Sequence, residues 1–361
     1  MDKLDRSSVL YNKILGCLVG GALGDAIGGV SEMMLYPKIE QVFGWIDRPL
    51  PTGTGPETAR FSQGLPAGSF TDDTRLKHML CEAIVRKQGR VTADEVAEVW
   101  REQLQGWYYT PVLNAFYKLF MGDARPREAG QGGMASNSTA MSISPVGIIN
   151  AGNPAQAAQD AYEIASMIHE GEARDGAVVI AAAVAEAFKP EATPTSILAA
   201  ASSSIYPKGR MKERILSAIA LAQKYPDYRD FRQVFYQHML VATPQGFGFS
   251  PAPEGFYDTA EPLEAVPAAL GLFLLAGGKW RKTVEFCANF GRDADTLATM
   301  GGAIAGAFEG AGVIPSEWID LIPAANPGVP DQFELADHMG SAVLHTVQAM
   351  RALCSTLETM S

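Results

Sequence analysis

Cysteine is scarce in this chain and poorly placed for pairing. Cys17, Cys81, Cys287 and Cys354 are spread over 361 residues with no CxxC pair. That argues against a zinc site and for reduced thiols in a cytoplasmic setting. Basic tracts are also missing. The formal net charge is −11, and no run of lysine and arginine offers a track for phosphates. Nucleic acid is therefore not an expected partner, since duplex affinity rests on neutralising phosphates. No stretch of about 20 apolar residues runs free of glycine or charge, so no transmembrane helix and no membrane partner are expected. The opening residues, MDKLDRSSVLYNK, lack the apolar core and cleavage site of a signal peptide. Strand-like alternation is rare, and there is no convincing internal repeat.

What the chain does have is helix-forming sequence and enough apolar residues, 47%, for a sizeable core. Helical periodicity or strong helix propensity predicts helices over 13–28, 73–87, 93–105, 156–169, 174–188, 195–205, 210–223, 228–241, 262–276, 279–290, 294–311 and 333–357. Three long segments rich in Gly, Pro and Ser read as loops: 45–70, 122–144 and 242–261. No linker separates two cores. The expectation is one all-α domain over 1–361.

Two acidic clusters carry most of the chemical information. Thr71-Asp72-Asp73-Thr74 precedes a stripe of Leu76, Met79, Leu80 and Ile84. Asp293-Ala294-Asp295-Thr296 precedes LATMGGAIAGAFEGAG. Each stands where a helix should start, and for a single Asp the simpler reading is an N-cap. Three neighbouring oxygen donors exceed what capping needs, and hard divalent cations want oxygen ligands. Because the clusters lie in opposite halves, they can meet only if the chain folds as one unit.

A third segment, GCLVGGALGDAIGGVSEM, places Gly16, Gly20, Gly24 and Gly28 four apart, a smooth face on which another helix can sit. Gly301, Gly302 and Gly306 offer a similar surface. Asp25 and Glu32 interrupt this apolar stretch. A carboxylate there is costly to bury unless it is paired or metal-bound. For Asp25, a buried hydrogen-bonding role and a ligand role stand open together.

These segments, with two more, resemble the ADP-ribosylglycohydrolase family, which includes dinitrogenase reductase-activating glycohydrolase and the J1 crystallins. GDAIGGVSE at 24–32, TDDT at 71–74, SNSTAM at 136–141, GRDADT at 291–296 and GAIAGAFEGAGVIPSEW at 302–318 follow the family's motifs in order. The resemblance implies a compact orthogonal helical bundle with a binuclear centre of two divalent cations, Mg²⁺ or alternatively Mn²⁺. It implies Thr71, Asp72, Asp73, Asp293, Asp295 and Thr296 as ligands. Glu32 would be a mobile carboxylate touching metal or substrate. Asn137, Ser138 and His169 would lie beside a ribose, with a helix C-terminal cap as the alternative for His169.

The implied reaction is hydrolysis of an N- or O-glycosidic bond at ribose C1, on a small ribosyl or ADP-ribosyl compound or an ADP-ribosylated protein. Such cleavage passes through an oxocarbenium-like state. Paired cations can fix the ribose diol and acidify water. Glu32, Asp73 and Asp295 are the candidate catalytic carboxylates. The loop Gly130-Gln131-Gly132-Gly133 would either give N–H groups, notably of Gly132 and Gly133, to a diphosphate or serve only as a turn. Phe247, Phe249, Phe256 and Tyr257 would stack on an adenine or pin their own loop.

Three features depart from the family pattern: Ser136 and Ser138 flanking Asn137, Arg292 before the second acidic motif, and Glu170 and Glu172 after His169. Arg292 would pair with a phosphate or carboxylate of the substrate, or with an acidic ligand. Together these favour a substrate other than ADP-ribosyl-arginine on a protein. The competing readings are a ribosyl N-glycosidase with no need for ADP, a non-catalytic crystallin-like protein, and a metal phosphohydrolase.

Overall fold

A glycine at every fourth position of the first helix decides how the molecule is assembled. The computed structural model describes residues 4–53, 64–106, 108–241 and 260–360. Its helices are, in chain order, α1 (Val9–Gly28), α2 (Tyr36–Phe43), α3 (Asp72–Lys87), α4 (Ala93–Gln103), α5 (Thr110–Phe120), α6 (Ser144–Ile149), α7 (Pro154–Ala165), α8 (Gly171–Ala187), α9 (Pro194–Ser203), α10 (Arg210–Lys224), α11 (Tyr228–His238), α12 (Pro262–Leu275), α13 (Trp280–Phe290), α14 (Ala294–Glu309), α15 (Ser316–Ile319), α16 (Leu321–Ala325) and α17 (Gln332–Glu358). No β-strand occurs among the described residues, only an isolated antiparallel bridge between Leu35 and Gly291. The fold is all-α, as the sequence predicts.

Glycines four apart stay on one face of a helix. α1 presents that face to α14, and the two backbones touch. A Cβ added at Gly16 would stand 2.3 Å from the Gly306 carbonyl oxygen, at Gly20 2.7 Å from that of Gly302, at Gly24 2.0 Å from that of Ala298, and at Gly28 2.3 Å from that of Ala294. Numbers rise along α1 as they fall along α14, so the pair is antiparallel. The end of α1 therefore lies beside the start of α14, which brings Glu32 toward the second acidic motif.

Other helices build outward from this pair. One hydrophobic core takes in residues from Tyr11 to Val343. α8 is apolar nearly all round and is buried from Gly176 to Ala187, as a central helix should be. α11 braces the end of α13 with three side chains four residues apart. Tyr228 Oη donates to the Phe286 carbonyl at 2.9 Å, Arg232 Nη1 to Asn289 at 2.8 Å and Tyr236 Oη to Phe290 at 2.6 Å. Carbonyls in a helix's last turn lack partners within the helix, so these bonds fix where the chain leaves α13.

Sequence reasoning leaves α2, α5, α6, α15 and α16 unassigned, and the structure corrects this. α5 was legible: Pro111 sits in the first turn, where a missing N–H costs little, and Val112, Ala115 and Leu119 trace its buried side. The other four have at most eight residues, too few for periodicity to show. The helix expected over 156–169 ends at Ala165, and the turn that follows carries His169 inward. Of the three expected loops, 122–144 is irregular apart from a 3-10 turn at Pro126–Glu128 and its last residue, Ser144, which opens α6. Much of 45–70 and nearly all of 242–261 lie outside the described residues, and with them Phe247, Phe249, Phe256 and Tyr257.

Candidate active site

The first acidic cluster begins α3. Thr71 caps the helix, its Oγ1 accepting from the Asp73 N–H at 3.3 Å. The remaining capping comes from another helix. Asp25 of α1 is fully buried and accepts from the Thr71 N–H at 2.9 Å, the Thr74 N–H at 3.1 Å and Thr74 Oγ1 at 2.6 Å. Of its two open roles, Asp25 takes the hydrogen-bonding one. Because Asp25 and Thr71 supply the caps, the Asp73 carboxylate is spared for other work. Asp72 faces the partly exposed side and accepts from the Tyr109 backbone N–H.

The second cluster is positioned by two backbone bonds. Met33 donates to the Arg292 carbonyl at 2.6 Å, and Arg292 donates to that of Met34 at 2.7 Å. Gly291, with φ +79°, permits the approach; a Cβ there would stand 2.3 Å from the Met34 oxygen. The pairing carries Glu32 to the start of α14, where Asp293 is the capping residue and Asp295 lies in the first turn. One carboxylate oxygen each from Glu32, Asp293 and Asp295 lies within 4.8 Å of the others, an arrangement that could hold a metal ion. Asp73 reaches the same place from α3, beside Thr296 and close enough to feel the Asp293 charge.

The electrostatics are compatible with a cation held there. Burial, then mutual repulsion, holds the carboxyls of Glu32, Asp73 and Asp295 well above the usual range. Three buried oxygens, Glu32 Oε2, Asp73 Oδ2 and Asp295 Oδ1, accept no hydrogen bond. Buried polar atoms without partners are rare and call for a reason. The N-termini of α3 and α14 also present the positive ends of their dipoles here. Behind the cluster Lys77 is wholly buried. Its Nζ donates to the Leu18 carbonyl at 3.3 Å, in space left by Gly21, and its charge bears on Asp25 and Asp73.

The SNST segment forms one wall. Asn137 Nδ2 donates to Asp293 Oδ2 at 2.5 Å, and the Asn137 N–H to the Ala260 carbonyl at 3.0 Å. His169 bonds through both ring nitrogens, Nε2 with Ser136 Oγ at 2.8 Å and Nδ1 with Thr139 Oγ1 at 2.9 Å. Burial depresses its pKa to about 3, so the ring stays neutral. Ser138 Oγ lies 2.8 Å from Ser136 Oγ. His169 thus braces the wall that holds Asn137, and both its nitrogens are occupied.

Two sequence-derived assignments are corrected. The glycine loop does not present free N–H groups to a diphosphate. The N–H of Gly130 bonds to the Ser166 carbonyl at 2.9 Å, that of Gln131 to Glu128 at 3.1 Å, that of Gly132 to Glu170 Oε1 at 3.1 Å and that of Gly133 to Gly130 at 3.1 Å. This is the turn reading. The Arg292 guanidinium, read from sequence as a partner for a substrate anion or an acidic ligand, instead grips Glu264 of α12 inside the protein. Sequence reasoning passed over Glu264, though an acid inside PLEAVPAALGLFLL is the same signal that marked Asp25. Lys77, a lone cation on an apolar stripe, was legible in the same way.

An all-α bundle that gathers carboxylates from both ends of the chain is the class of protein that the motifs imply. The chain belongs to the ADP-ribosylglycohydrolase family, whose model matches residues 6–351. It is 28% identical over 319 residues to the uncharacterized protein YegU of Escherichia coli K12, covering 84% of this chain and 89% of that one. It is 23% identical over 327 residues to ADP-ribosylhydrolase ARH3 of Homo sapiens, covering 85% and 88%. The fold matches a solved ADP-ribosylglycohydrolase-related protein complex at TM-score 0.63 and 21% identity, over 93% of this chain and 99% of that one. Family membership supports glycosidic hydrolysis in general. Among the described residues no helix is long and apolar enough to cross a membrane.

Proposed function

We propose that residues 1–361 act as a single metal-dependent glycosidase domain that hydrolyses an N- or O-glycosidic bond at ribose C1 of a ribosylated or ADP-ribosylated substrate. The observation that carries this reading is the convergence of three buried, unpartnered carboxylate oxygens from separate segments, Glu32 Oε2, Asp73 Oδ2 and Asp295 Oδ1. Together with Thr71, Asp72, Asp293 and Thr296 they form a donor set of hard oxygens that suits two divalent cations, Mg²⁺ first and Mn²⁺ second. When bound, such a pair supplies positive charge to a sugar diol and makes nearby water more acidic.

The protein's own groups account for the rest. Glu32 is partly exposed while its carboxyl is held high by burial and by Asp293. That partial exposure suits it to exchange a proton with a leaving group or with the attacking water. Asp73 and Asp295 form the buried floor, and Asn137 directs its amide at Asp293 from the facing wall. His169, neutral and doubly bonded, serves to hold that wall. The occupied N–H groups of the glycine loop favour, as a second reading, a ribosyl metabolite without a diphosphate.

The test is a melting series on EDTA-treated protein, with Mg²⁺ or Mn²⁺ and then with ribose, ADP-ribose or a nucleoside. A ligand at about a hundredfold over its Kd stabilises by roughly 2.7 kcal/mol. A metal-dependent shift with a ribosyl compound supports the proposal, and the larger of the ribose and ADP-ribose shifts separates the two readings. The absence of any shift with metal counts against the whole reading.

A further inference from the structure

Arg292 stands one residue before Asp293 with a left-handed backbone, φ +62°. Glycine adopts that conformation freely, whereas a residue with a Cβ resists it. The side chain shows what holds it there. Arg292 Nε and Nη2 donate to Glu264 Oε1 and Oε2 at 2.7 and 3.0 Å, a two-pronged pair with both side chains almost wholly buried. Glu264 Oε2 also accepts the Val241 N–H at 2.9 Å.

The helix that carries Glu264 is secured in turn. Pro267 has no N–H, so the Leu263 carbonyl lacks its helical partner. Arg214 of α10 fills the gap, its Nε donating to Leu263 at 2.9 Å while Nη2 reaches the Met239 carbonyl. Arg292 is therefore held from two directions. Its side chain is locked to α12, and its backbone N–H and carbonyl are bonded to Met34 and Met33, next to Glu32. The residue between these anchors and α14 is Asp293.

We propose that the buried Arg292–Glu264 pair is a positioning clamp, which sets the direction of the Asp293 carboxylate and its spacing from Glu32 and Asp295 for a divalent cation. Neither member is among the expected cation ligands, so both act through Asp293. The inference rests on the metal reading above and adds a residue outside the acidic motifs that governs it.

The test is a calorimetric titration of Mn²⁺ into the EDTA-stripped full chain, with melting temperature read in parallel. Groups supporting a ligand typically alter metal affinity by about ten- to a hundredfold. Glu264→Gln should weaken Mn²⁺ binding in that range. The double variant E264Q/R292G should recover most of the loss, because glycine holds φ +62° without an anchor. A structural role alone would give no such recovery. The clamp is refuted if Glu264→Gln binds Mn²⁺ within about twofold of the parent, or if the double variant stays as weak as the single one. Should Glu264→Gln fail to fold, Arg292→Lys decides, since it keeps the charge and loses the fork: weaker binding upholds the clamp, and parent-like binding rejects it. Failure of the parent to bind Mn²⁺ would overturn the metal reading and the clamp together, whereas a variant-to-parent ratio near one overturns the clamp alone.

Discussion

Gly24→Ala tests whether backbone contact between α1 and α14 sets the site. Within a helix, replacing glycine by alanine ordinarily stabilises by up to about 1 kcal/mol. Here the new Cβ would lie 2.0 Å from the Ala298 carbonyl oxygen and 2.6 Å from its carbon. Neither atom can rotate away, so the helices must part by roughly 1 Å to reach even a tight contact. Overpacking of a core costs about 1–3 kcal/mol, and a backbone obstacle places this site at the top of that range. The clash should outweigh the propensity gain by about 2 kcal/mol. The same displacement draws Glu32 away from Asp293 and Asp295, so Mn²⁺ affinity should fall by about tenfold or more. Gly21→Ala is the control. It lies in the same helix, but its new Cβ would meet Lys77 Nζ at 3.1 Å, Ala303 Cβ at 3.2 Å and the Thr299 carbonyl oxygen at 3.3 Å, tight contacts that ask for far smaller shifts than the 2.0 Å approach at Gly24. Urea midpoints and Mn²⁺ titration of the two variants give the answer. If Gly24→Ala is as stable as Gly21→Ala and binds Mn²⁺ like the parent, the glycine stripe does not position the site.

This axis was legible because its signals are local. A period of four is visible in the sequence, and it returns as carbonyl contacts at Gly16, Gly20, Gly24 and Gly28. The acidic motifs were legible for a related reason: each precedes an apolar stripe, which puts its carboxylates at a helix start, and the two helix starts do meet. What escaped depends on partners far apart in the chain. Arg292 reads as a partner for a substrate anion or an acidic ligand until Glu264, 28 residues earlier, is seen to take it. The glycine loop leaves a phosphate nest and a plain turn both open, because composition does not reveal that Ser166 and Glu170 occupy its N–H groups. His169 reads as lying beside a ribose or as a helix cap, because the hydroxyls of Ser136 and Thr139 that claim its ring lie 33 and 30 residues away. Sequence patterns therefore marked the segments that the fold brings together, while the folded contacts assigned each side chain its bond.

Two further outcomes follow from the buried charges. Asp295→Asn should abolish Mn²⁺ binding yet raise the melting temperature of the EDTA-treated protein, because it removes one of several repelling buried carboxylates; a lower melting temperature than the parent's in EDTA would contradict the repulsion. The pH dependence should have two opposed limbs. His78 and His169 are lowered to about 3 by burial, so the unfolded chain takes up protons that the fold does not. Stability they contribute is complete above their ordinary value of 6.5 and is lost as pH falls below it, by up to about 1.4 kcal/mol per pH unit for each ring. Glu32, Asp73 and Asp295 are raised, so the fold binds protons that the unfolded chain has released. Metal-free stability from these groups is present below the ordinary carboxylate range and declines as pH rises through it toward their raised values. Without metal, urea midpoints should therefore peak at mildly acidic pH. With Mn²⁺ the peak should move to higher pH, since the cation needs the deprotonated ligands and cancels their repulsion. A midpoint in EDTA that keeps rising from pH 6 to 8 would show that the carboxylates do not repel one another in the fold, and would remove the electrostatic case for a cation at this site.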